Sequence, residues 1–312
     1  MIIDWHAHLI TPEQAAEPFW RGNCPMAIEA FMASHHEVSL DISVISDGGR
    51  SLKGNDFRNI QRWGDYAAAL QTEHAGVLYG LATADPCGGT RQLREAERAI
   101  LELGLKGFFI FSSHNGHYPD HDQATGFWEM VQALDVPVMI HPSVGEGEDN
   151  FKGHRLANSI GRPHDTTLAL ARLIVRGTLE RFPHLKIIGS HLGGGICEVI
   201  GRMDYAYELQ DEAHDFMGPY GPSIKHPPSH YLRKMYLDTV SYHPPAIRCA
   251  IETVGIEHVM HGSDGPPLRT LKKRAIDIVN SLNLSAEDNE KIFWRNAAGL
   301  LKLEPDSGSP GI

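Results

Sequence analysis

The sequence predicts a single α/β domain in which eight parallel strands alternate with helices, the arrangement of a (β/α)₈ TIM barrel. A chain of 312 residues is long enough for one such barrel. Short apolar runs such as KGFFIF, VPVMIH and LKIIGSH recur along it, as expected of parallel strands that are covered on both faces. Segments with helical spacing of apolar residues separate these runs, which favours one barrel over two separate domains.

The strands and helices can be placed in chain order from this pattern. The predicted strands are Ile2–His6, Ile42–Ser46, Val77–Ala82, Gly107–Phe111, Val136–His141, Leu185–Ser190, Met235–Asp238 and His258–His261. The clearest helices are Asp56–His74, Arg91–Leu103, Thr125–Leu134, Thr166–Phe182, Ile196–Gln210, Ala246–Val254, Leu271–Leu282 and Ser285–Leu303. The last helix opens with a capping pattern, Ser285 followed by Asp288.

Two segments interrupt the alternation and are expected to lie over the barrel mouth. Ser143–Pro163 is polar and rich in glycine, and Met217–Arg233 is rich in proline. Such excursions commonly form lids and subunit contacts. The tail Asp306–Ile312 has the composition of a frayed terminus, so the domain is predicted to span residues 1–312 with these features attached.

The composition excludes several classes of protein. The chain carries 28 Lys and Arg against 39 Asp and Glu, a net charge of −11, and has no basic run, which makes nucleic acid a poor partner. Its apolar stretches are too short to span a bilayer, so no membrane association and a cytoplasmic location are expected. The four cysteines form no CxxC pair, and neither a disulfide scaffold nor a zinc ribbon is indicated.

Histidine and aspartate occur at the ends of several predicted strands. His6 and His8 form an H-x-H pair on the first strand, where residues i and i+2 point to the same side. His141 ends the fifth strand, His191 ends the sixth and Asp264 follows the eighth. Because the carboxyl ends of barrel strands meet at one mouth, these side chains are predicted to form one metal site.

These residues fall in motifs that resemble the amidohydrolase superfamily, specifically the branch that contains aminocarboxymuconate-semialdehyde decarboxylase. The resemblance extends from MIIDWHAHL to the closing NAAGLLKL. Its motifs are D-x-H-x-H at Asp4–His8, H-P at His141–Pro142, F-P-x-L-K-x-x-x-x-H-x-G-G-G at Phe182–Gly195, G-R at Gly201–Arg202 and G-S-D-x-P at Gly262–Pro266.

The resemblance implies a TIM barrel of the metal-dependent hydrolase type with one divalent ion, Zn²⁺ or alternatively Mn²⁺. Its ligands would be His6, His8, His141 and Asp264, with Asp264 also part of the catalytic machinery. His191 would be the general acid/base. The strand-end lysine of binuclear relatives has no counterpart, because Lys106 lies at the start of the fourth strand.

The resemblance also implies substrate-binding groups and an assembly. Arg202 would bind a substrate carboxylate, in some relatives across the interface of a homodimer, and a homodimer is expected here. Arg50 is a second candidate for a substrate carboxylate, although a solvated loop charge is an equal reading. His243 is a candidate substrate group, and the loop with His114, His117 and His121 lies near the mouth.

The leading functional hypothesis is therefore a metal-dependent, non-oxidative decarboxylase, a C–C lyase, acting on a small unsaturated or aromatic carboxylic acid. A metal-dependent hydrolase of a lactone, an amide or a ring-cleavage product would use the same site and is the alternative. A non-catalytic binding barrel is disfavoured, since the ligand and acid/base positions are intact.

Overall fold

The computed structural model describes residues 1–55, 57–143, 148–210, 212 and 224–303, and strands alternate with helices throughout them. The strands of this part of the chain are β1 (Ile3–His8), β2 (Ile42–Ser46), β3 (Leu78–Gly80), β4 (Ala82–Thr83), β5 (Phe108–Phe111), β6 (Pro137–His141), β7 (Lys186–Gly189), β8 (Tyr236–Asp238) and β9 (Val259–Met260). Each of the eight predicted strands is present within one or two residues of its expected bounds.

All strand pairs are parallel and follow chain order, in a three-stranded sheet β1-β2-β3 and a six-stranded sheet β4 to β9. The third predicted strand, Val77–Ala82, is divided at Leu81 and so contributes to both sheets. Backbone hydrogen bonds connect the sheet edges, among them those from Lys106 N to Gly80 O at 2.9 Å and from Trp5 N to His261 O at 3.0 Å. The fold is α/β with the strand order of a TIM barrel, although its strands do not form one continuous sheet.

The longer helices of the described residues alternate with the strands, and all but Ile28–Glu37 correspond to predicted helices. They are Ile28–Glu37, Phe57–Glu73, Gly89–Leu101, Thr125–Leu134, Arg162–Val175, Ile196–Glu208, Pro244–Val254 and Thr270–Ser281. Shorter helical segments are Pro12–Ala15, Pro18–Trp20, Arg50–Asn55, Asp122–Ala124, Glu148–Phe151, Ala157–Gly161, Thr178–Arg181, Ser190–Gly193, Pro228–Leu232, Ile256–His258, Ala286–Glu290, Lys291–Arg295 and Asn296–Leu301. None of the helices in these ranges combines the length and apolarity needed to cross a bilayer.

Two predicted helices differ from the observed ones. Thr166–Phe182 is not a single helix, because the chain turns at Gly177, where φ is +74°, and resumes as a short helix at Thr178. Ser285–Leu303 contains one π-helical turn in its middle, at Lys291–Arg295. Its predicted cap is confirmed, since the backbone N–H of Asp288 donates to Ser285 Oγ at 3.1 Å.

The two predicted excursions are only partly within the described residues. In Ser143–Pro163, residues 144–147 lie outside them, and the remainder contains the turns Glu148–Phe151 and Ala157–Gly161. In Met217–Arg233, residues 217–223 lie outside them, and the remainder carries the helix Pro228–Leu232. The predicted tail Asp306–Ile312 lies outside them entirely.

The core has two layers, which the strands separate. Phe109, Met139 and Ile188 belong to the cluster inside the ring of strands. Their immediate neighbours Phe108 and Ile187 belong to the cluster between the strands and the helices. Successive strand residues thus alternate between the layers, because side chains along a strand point to opposite faces. This explains why the strand sequences read as unbroken apolar runs.

One charged side chain is buried beside this core. Lys272, on helix Thr270–Ser281, is 1% exposed, and its Nζ has no hydrogen-bond partner among the described residues. The ammonium lies 3.7 Å from the centroid of the Phe31 ring, a cation–π contact. Burial lowers the pKa of Lys272 from 10.5 to about 8, and the negative charge of Asp4 only partly opposes this change.

We expect Lys272→Met to raise the free energy of unfolding at pH 7 by about 1–3 kcal/mol, since a pKa that is lower in the folded state opposes folding of the charged form. Between pH 8 and pH 10.5, Lys272 carries a proton more often in the unfolded chain than in the folded protein. The advantage of the variant should therefore shrink as pH rises from about 8 towards 10.5. Urea unfolding of the wild-type and variant proteins at pH values across this range measures the difference in their free energies of unfolding.

Lys273→Met is the matched control, because the neighbouring side chain is exposed and pairs with Asp277 at 2.6 Å. Its effect should stay within about 0.5 kcal/mol at every pH. A Lys272→Met advantage that does not change with pH would contradict the assigned cause.

Candidate metal centre and active site

Five polar side chains meet at the carboxyl ends of the strands. His6 and His8 project from β1 and His141 from the end of β6, while His191 follows β7 and Asp264 follows β9. The structure thus brings together all the residues that the sequence predicted for the metal site and the acid/base. His6 and His8 are almost fully buried, whereas the side chains of His191 and Asp264 are 18% and 28% exposed and face the opening.

The Nε2 atoms of the first-strand histidines face the Asp264 carboxylate. His6 Nε2 lies 3.2 Å from His8 Nε2, and Asp264 Oδ1 lies 3.3 Å and 3.1 Å from these two atoms. The other carboxylate oxygen, Oδ2, lies 3.3 Å from His191 Nε2. The centroid of the His141 ring lies 5.0–5.3 Å from those of His6, His8 and His191. Asp264 therefore bridges the buried pair of imidazoles and the more exposed one.

Hydrogen bonds to the Nδ1 atoms fix three of the rings. His6 Nδ1 pairs with Asp238 Oδ2 at 2.6 Å, His8 Nδ1 with Ser46 Oγ at 2.9 Å and His191 Nδ1 with Ser190 Oγ at 3.1 Å. Such partners orient the rings of metal-binding histidines and leave Nε2 directed at the ion. The arrangement is that of a metal site whose ligands are held in place before the metal binds.

Asp238 is a functional residue that the sequence analysis missed. Its carboxylate is fully buried, and Oδ1 accepts the backbone N–H groups of Leu192 at 2.9 Å and Val240 at 3.0 Å while Oδ2 holds His6. The sequence contained a pattern that could have identified it, because Asp238 ends the apolar run MYLD in the same way as His141 ends VPVMIH. Ser46, which ends β2, carries the same signal and supports His8.

The turn that carries His191 has an unusual backbone. His191 and Leu192 both have positive φ, at 51° and 57°, which costs about 1–3 kcal/mol for each such residue. The bond from Leu192 N to Asp238 holds the turn in this conformation. Gly194 follows with φ of +72°, and a Cβ there would clash with the carbonyl oxygen of Pro163. The glycines after His191 thus serve the turn that presents this side chain.

Asp264 is positioned by β1. Its backbone N–H donates to His6 O at 2.8 Å, and its φ of 55° lies in the left-handed region. The preceding Ser263 donates from N and Oγ to the two carboxylate oxygens of Asp4, at 2.9 Å and 2.5 Å. The aspartate of the D-x-H-x-H motif therefore fixes the loop that carries Asp264.

Burial and neighbouring charges shift the pKa values of these groups. Burial lowers the pKa of His6, but hydrogen bonds to Asp238 and Asp264 outweigh it and raise the pKa to about 10. Burial lowers the pKa of His8, and burial with the neighbouring imidazoles holds that of His141 well below 6.5. Burial raises the pKa of Asp264, but His191 and His6 outweigh it and hold the pKa well below 3.8. A metal ion at His6 would therefore displace a proton.

The residues present fit a divalent metal ion. Both ring nitrogens of His141 are buried without a hydrogen-bond partner in the described part of the chain, an arrangement that a cation at the centre would satisfy. Imidazole and carboxylate ligands suit Zn²⁺, Mn²⁺ and similar ions. Ligating atoms of His6, His141, His191 and Asp264 lie within 4.8 Å of one another, and His8 adjoins two of these residues.

The predicted substrate groups lie outside this cluster. Arg50 is half-buried, stacks its guanidinium 5.2 Å over the Trp20 ring and lines a cavity of about 410 Å³ together with Thr11 and Arg62. Arg202 is exposed on helix Ile196–Glu208, and His243 is exposed at the start of helix Pro244–Val254. Within the described residues, none of the three contacts the five central side chains.

Known proteins of one family are similar to this chain along most of its length. The family model for amidohydrolases matches residues 3–303. Gamma-resorcylate decarboxylase of Polaromonas sp. (strain JS666) is 30% identical over 85% of this chain and 82% of that protein. The 2-amino-3-carboxymuconate-6-semialdehyde decarboxylase of Dictyostelium discoideum is 28% identical over 78% of this chain, and the match spans 66% of its length.

Solved structures share the fold. The 5-carboxyvanillate decarboxylase of Sphingomonas paucimobilis has a TM-score of 0.86 at 21% identity, covering 97% of this chain and 99% of that chain. A dihydroxybenzoic acid decarboxylase from Polaromonas sp. JS666, with bound manganese and 2-nitroresorcinol, has a TM-score of 0.81 at 23% identity and covers 97% of each chain. With the family model matching nearly its whole length, this chain belongs to the amidohydrolase family.

Proposed function

We propose that this protein is a metal-dependent, non-oxidative decarboxylase that removes CO₂ from a small aromatic or unsaturated carboxylic acid. The observation that carries the proposal is the convergence of four imidazoles and one carboxylate, with His191 on the open side. The relatives that match this chain at 28–30% identity are named as decarboxylases, which favours C–C cleavage over hydrolysis.

The proposed metal ligands are His6, His8, His141 and Asp264. The three imidazoles are the most buried of the cluster, and Asp264 lies against two of them. His191 is excluded from this set because its ring is more exposed and sits on the turn after β7. When bound, the ion, Zn²⁺ or Mn²⁺, would supply a Lewis acid that orients the substrate through its oxygen atoms.

We expect His6→Ala combined with His8→Ala to leave less than about a tenth of the bound metal, since two of four ligands are removed. Metal per chain, measured by elemental analysis after purification, checks this. The matched control is His226→Ala with His230→Ala, two neighbouring imidazoles outside the cluster with ring centroids 4.3 Å apart. About one metal per chain in the His6/His8 variant would contradict the ligand assignment.

His191 is the proposed proton donor. In the reaction the bond between the ring carbon and the carboxylate breaks, its electron pair stays on the carbon, and CO₂ leaves. A proton from His191 Nε2 then forms the new C–H bond at that carbon. Asp264 Oδ2, 3.3 Å from this nitrogen, and Ser190 Oγ, on the other ring nitrogen, hold the imidazole towards the opening.

We expect His191→Ala to keep its metal but to lower kcat by about 10²- to 10⁴-fold, the usual contribution of a general acid/base group. Ser190→Ala should lower kcat less, by about tenfold, because it removes only an orienting hydrogen bond. CO₂ release and metal content, measured on the same preparations, check both. Loss of metal from His191→Ala would instead make His191 a ligand.

Arg202 is proposed to bind a substrate carboxylate in the site of a second subunit. It is exposed and shares one side of its helix with Val199 and Tyr205, at spacings of three residues. Val199 and Tyr205 are 39% and 60% exposed, and a second copy at this face would cover them. The proposed assembly is a homodimer in which this face meets its copy, so that Arg202 completes the partner's site.

A subunit-mixing experiment tests this assembly. If Arg202 acts across the interface, His191→Ala and Arg202→Ala homodimers should each be nearly inactive. Dissociating and reassociating an equal mixture should then restore up to about a quarter of wild-type activity, because half of the dimers carry one intact site. No recovery in a mixture shown by mass to contain mixed dimers would contradict the role across the interface, and a monomeric wild-type protein would contradict the dimer.

Arg50 and His243 are proposed to contact substrate groups away from the metal. Arg50 stacks on the Trp20 ring and lines a cavity together with Arg62, Glu13 and Glu17. The overall assignment is tested by incubating metal-loaded protein with aromatic acids, lactones and amides, and measuring CO₂ against hydrolytic products. Hydrolysis without CO₂ release would overturn the proposed reaction in favour of a hydrolase.

A further inference from the structure

The ring of His141 is held differently from the rings of the other three histidines in the central cluster. The Nδ1 atoms of His6, His8 and His191 each have a hydrogen-bond partner. Neither ring nitrogen of His141 has one among the described residues, although both nitrogens are buried. The ring packs against that of Phe109 on β5, with 5.0 Å between the centroids. Packing and the backbone of residue 141 must therefore set the direction of this ring.

Ser112 holds the backbone of His141 from the neighbouring strand. It is the first residue after β5 and is fully buried. Its N–H donates to His141 O at 2.8 Å, and its Oγ accepts the N–H of Ser143, also at 2.8 Å. Pro142, between these two residues, has no N–H and restricts the backbone of the residue before it. Ser112 therefore fixes the chain on both sides of Pro142, at the point where His141 ends β6.

Asp165 holds the hydroxyl group of Ser112 in the orientation that this contact needs. Since Ser112 Oγ accepts from Ser143, its own proton is directed to Asp165 Oδ2. The same carboxylate accepts from Ser113 Oγ at 2.9 Å and from the Tyr118 hydroxyl at 2.6 Å. Asp165 is 2% exposed, and a carboxylate so deeply buried is costly unless such donors satisfy it. The three hydroxyl groups are thus fixed by the need to satisfy this charge.

The same hydrogen bonds connect the two ends of the first excursion, Ser143–Pro163. Ser143 begins this segment, and Asp165 lies two residues beyond its end, in the first turn of helix Arg162–Val175. Both residues bind the one hydroxyl group of Ser112. The position of this hydroxyl is therefore set by two separate parts of the chain, and the backbone of His141 follows it.

We propose that Ser112 is a positioning residue for His141 and that Asp165 acts with it by fixing its hydroxyl group. The pair does through the backbone what partners at Nδ1 do for the other three histidines. The inference rests on the proposed function, in which His141 is a metal ligand. Because Ser112 acts through His141, its removal is expected to weaken metal binding only while that ligand is present.

The test measures the dissociation constant of Co²⁺, by titrating metal-free protein with the ion and following the visible absorption of the complex. Ser112→Ala removes the group that accepts the Ser143 N–H, and should raise the Kd about tenfold, as loss of a partner that orients a ligand commonly does. The absorption bands of bound Co²⁺ should also shift, because they depend on the geometry of its ligands.

Ser113→Ala is the matched control. This neighbouring hydroxyl donates to the same oxygen of Asp165, but within the described residues it makes no hydrogen bond to His141 or Ser143. Its removal should change the Kd for Co²⁺ less than about threefold and leave the absorption bands in place. Urea unfolding of the metal-free variants shows whether either substitution changes the stability of the whole domain.

A double-mutant cycle shows whether Ser112 acts through His141. His141→Ala should itself raise the Kd at least about tenfold, since it removes one of the four proposed ligands. Adding Ser112→Ala to this variant should then change the Kd less than about threefold. A purely structural role of Ser112 would instead give the same tenfold loss whether or not His141 is present.

Two substitutions of similar size test Asp165. Asp165→Leu removes both acceptor oxygens and should raise the Kd for Co²⁺ about tenfold, and Asp165→Ala takes its place if that variant does not fold. Asp165→Asn keeps one acceptor oxygen, which can face Ser112, and should stay within about threefold of wild type. An unchanged Kd in the variant without an acceptor would overturn the role of Asp165.

The outcomes separate this inference from the proposed function. Tight Co²⁺ binding by Ser112→Ala, together with weak binding by His141→Ala, would overturn the positioning role and leave the ligand assignment standing. An equal loss from Ser112→Ala in both backgrounds would do the same. His141→Ala that binds Co²⁺ as tightly as wild type would contradict both proposals, because His141 would then not be a ligand.

Discussion

The buried carboxylate of Asp238 is the constraint on which the site depends. One oxygen holds His6 Nδ1, and the other accepts the N–H groups of Leu192 and Val240. A buried carboxylate is costly unless its oxygens are satisfied, so these donors must stay in place while the protein is folded. A single side chain thereby fixes the positions of β1, the turn after β7 and the end of β8 relative to one another. His6 and His191 reach the same centre because Asp238 holds the imidazole of His6 and the backbone of Leu192, the residue after His191.

The parallel strands, which follow chain order in two sheets, make this convergence possible, and the connecting loops complete it. His6, His8 and His141 lie on strands, so their directions follow from the strand register. His191 and Asp264 lie beyond strand ends with positive φ, in a conformation that needs support from outside the loop. Asp238 supports the first loop, and Asp4, through Ser263, supports the second. The two residues closest to the opening are thus the ones whose geometry depends most on buried hydrogen bonds.

The mouth around this centre has sides of different character. On one side the rings of Phe111 and His114 stack at 28°, and two backbone hydrogen bonds between His114 and His117 fix the position of His114. On another side Arg50 borders a polar cavity and is backed by Trp20. Arg202 stands apart on an exposed helix face with apolar neighbours, so its proposed contribution requires a second subunit. The central cluster and the groups proposed for substrate recognition therefore lie in separate parts of the structure.

The sequence by itself determined the alternation of strands and helices, because apolar runs, helical spacing and the Ser285 cap are local properties of the chain. It also determined that histidines and an aspartate share one mouth, since each follows an apolar run in a parallel fold. The break at Leu81, the turn at Gly177 and the position of Arg202 away from the centre were decided by packing between distant elements. The pairing of His6 with Asp238 joins residues 232 positions apart in the chain. Only the tertiary structure selects such a partner, because no local pattern distinguishes a strand-end aspartate that supports a ligand from one that faces solvent.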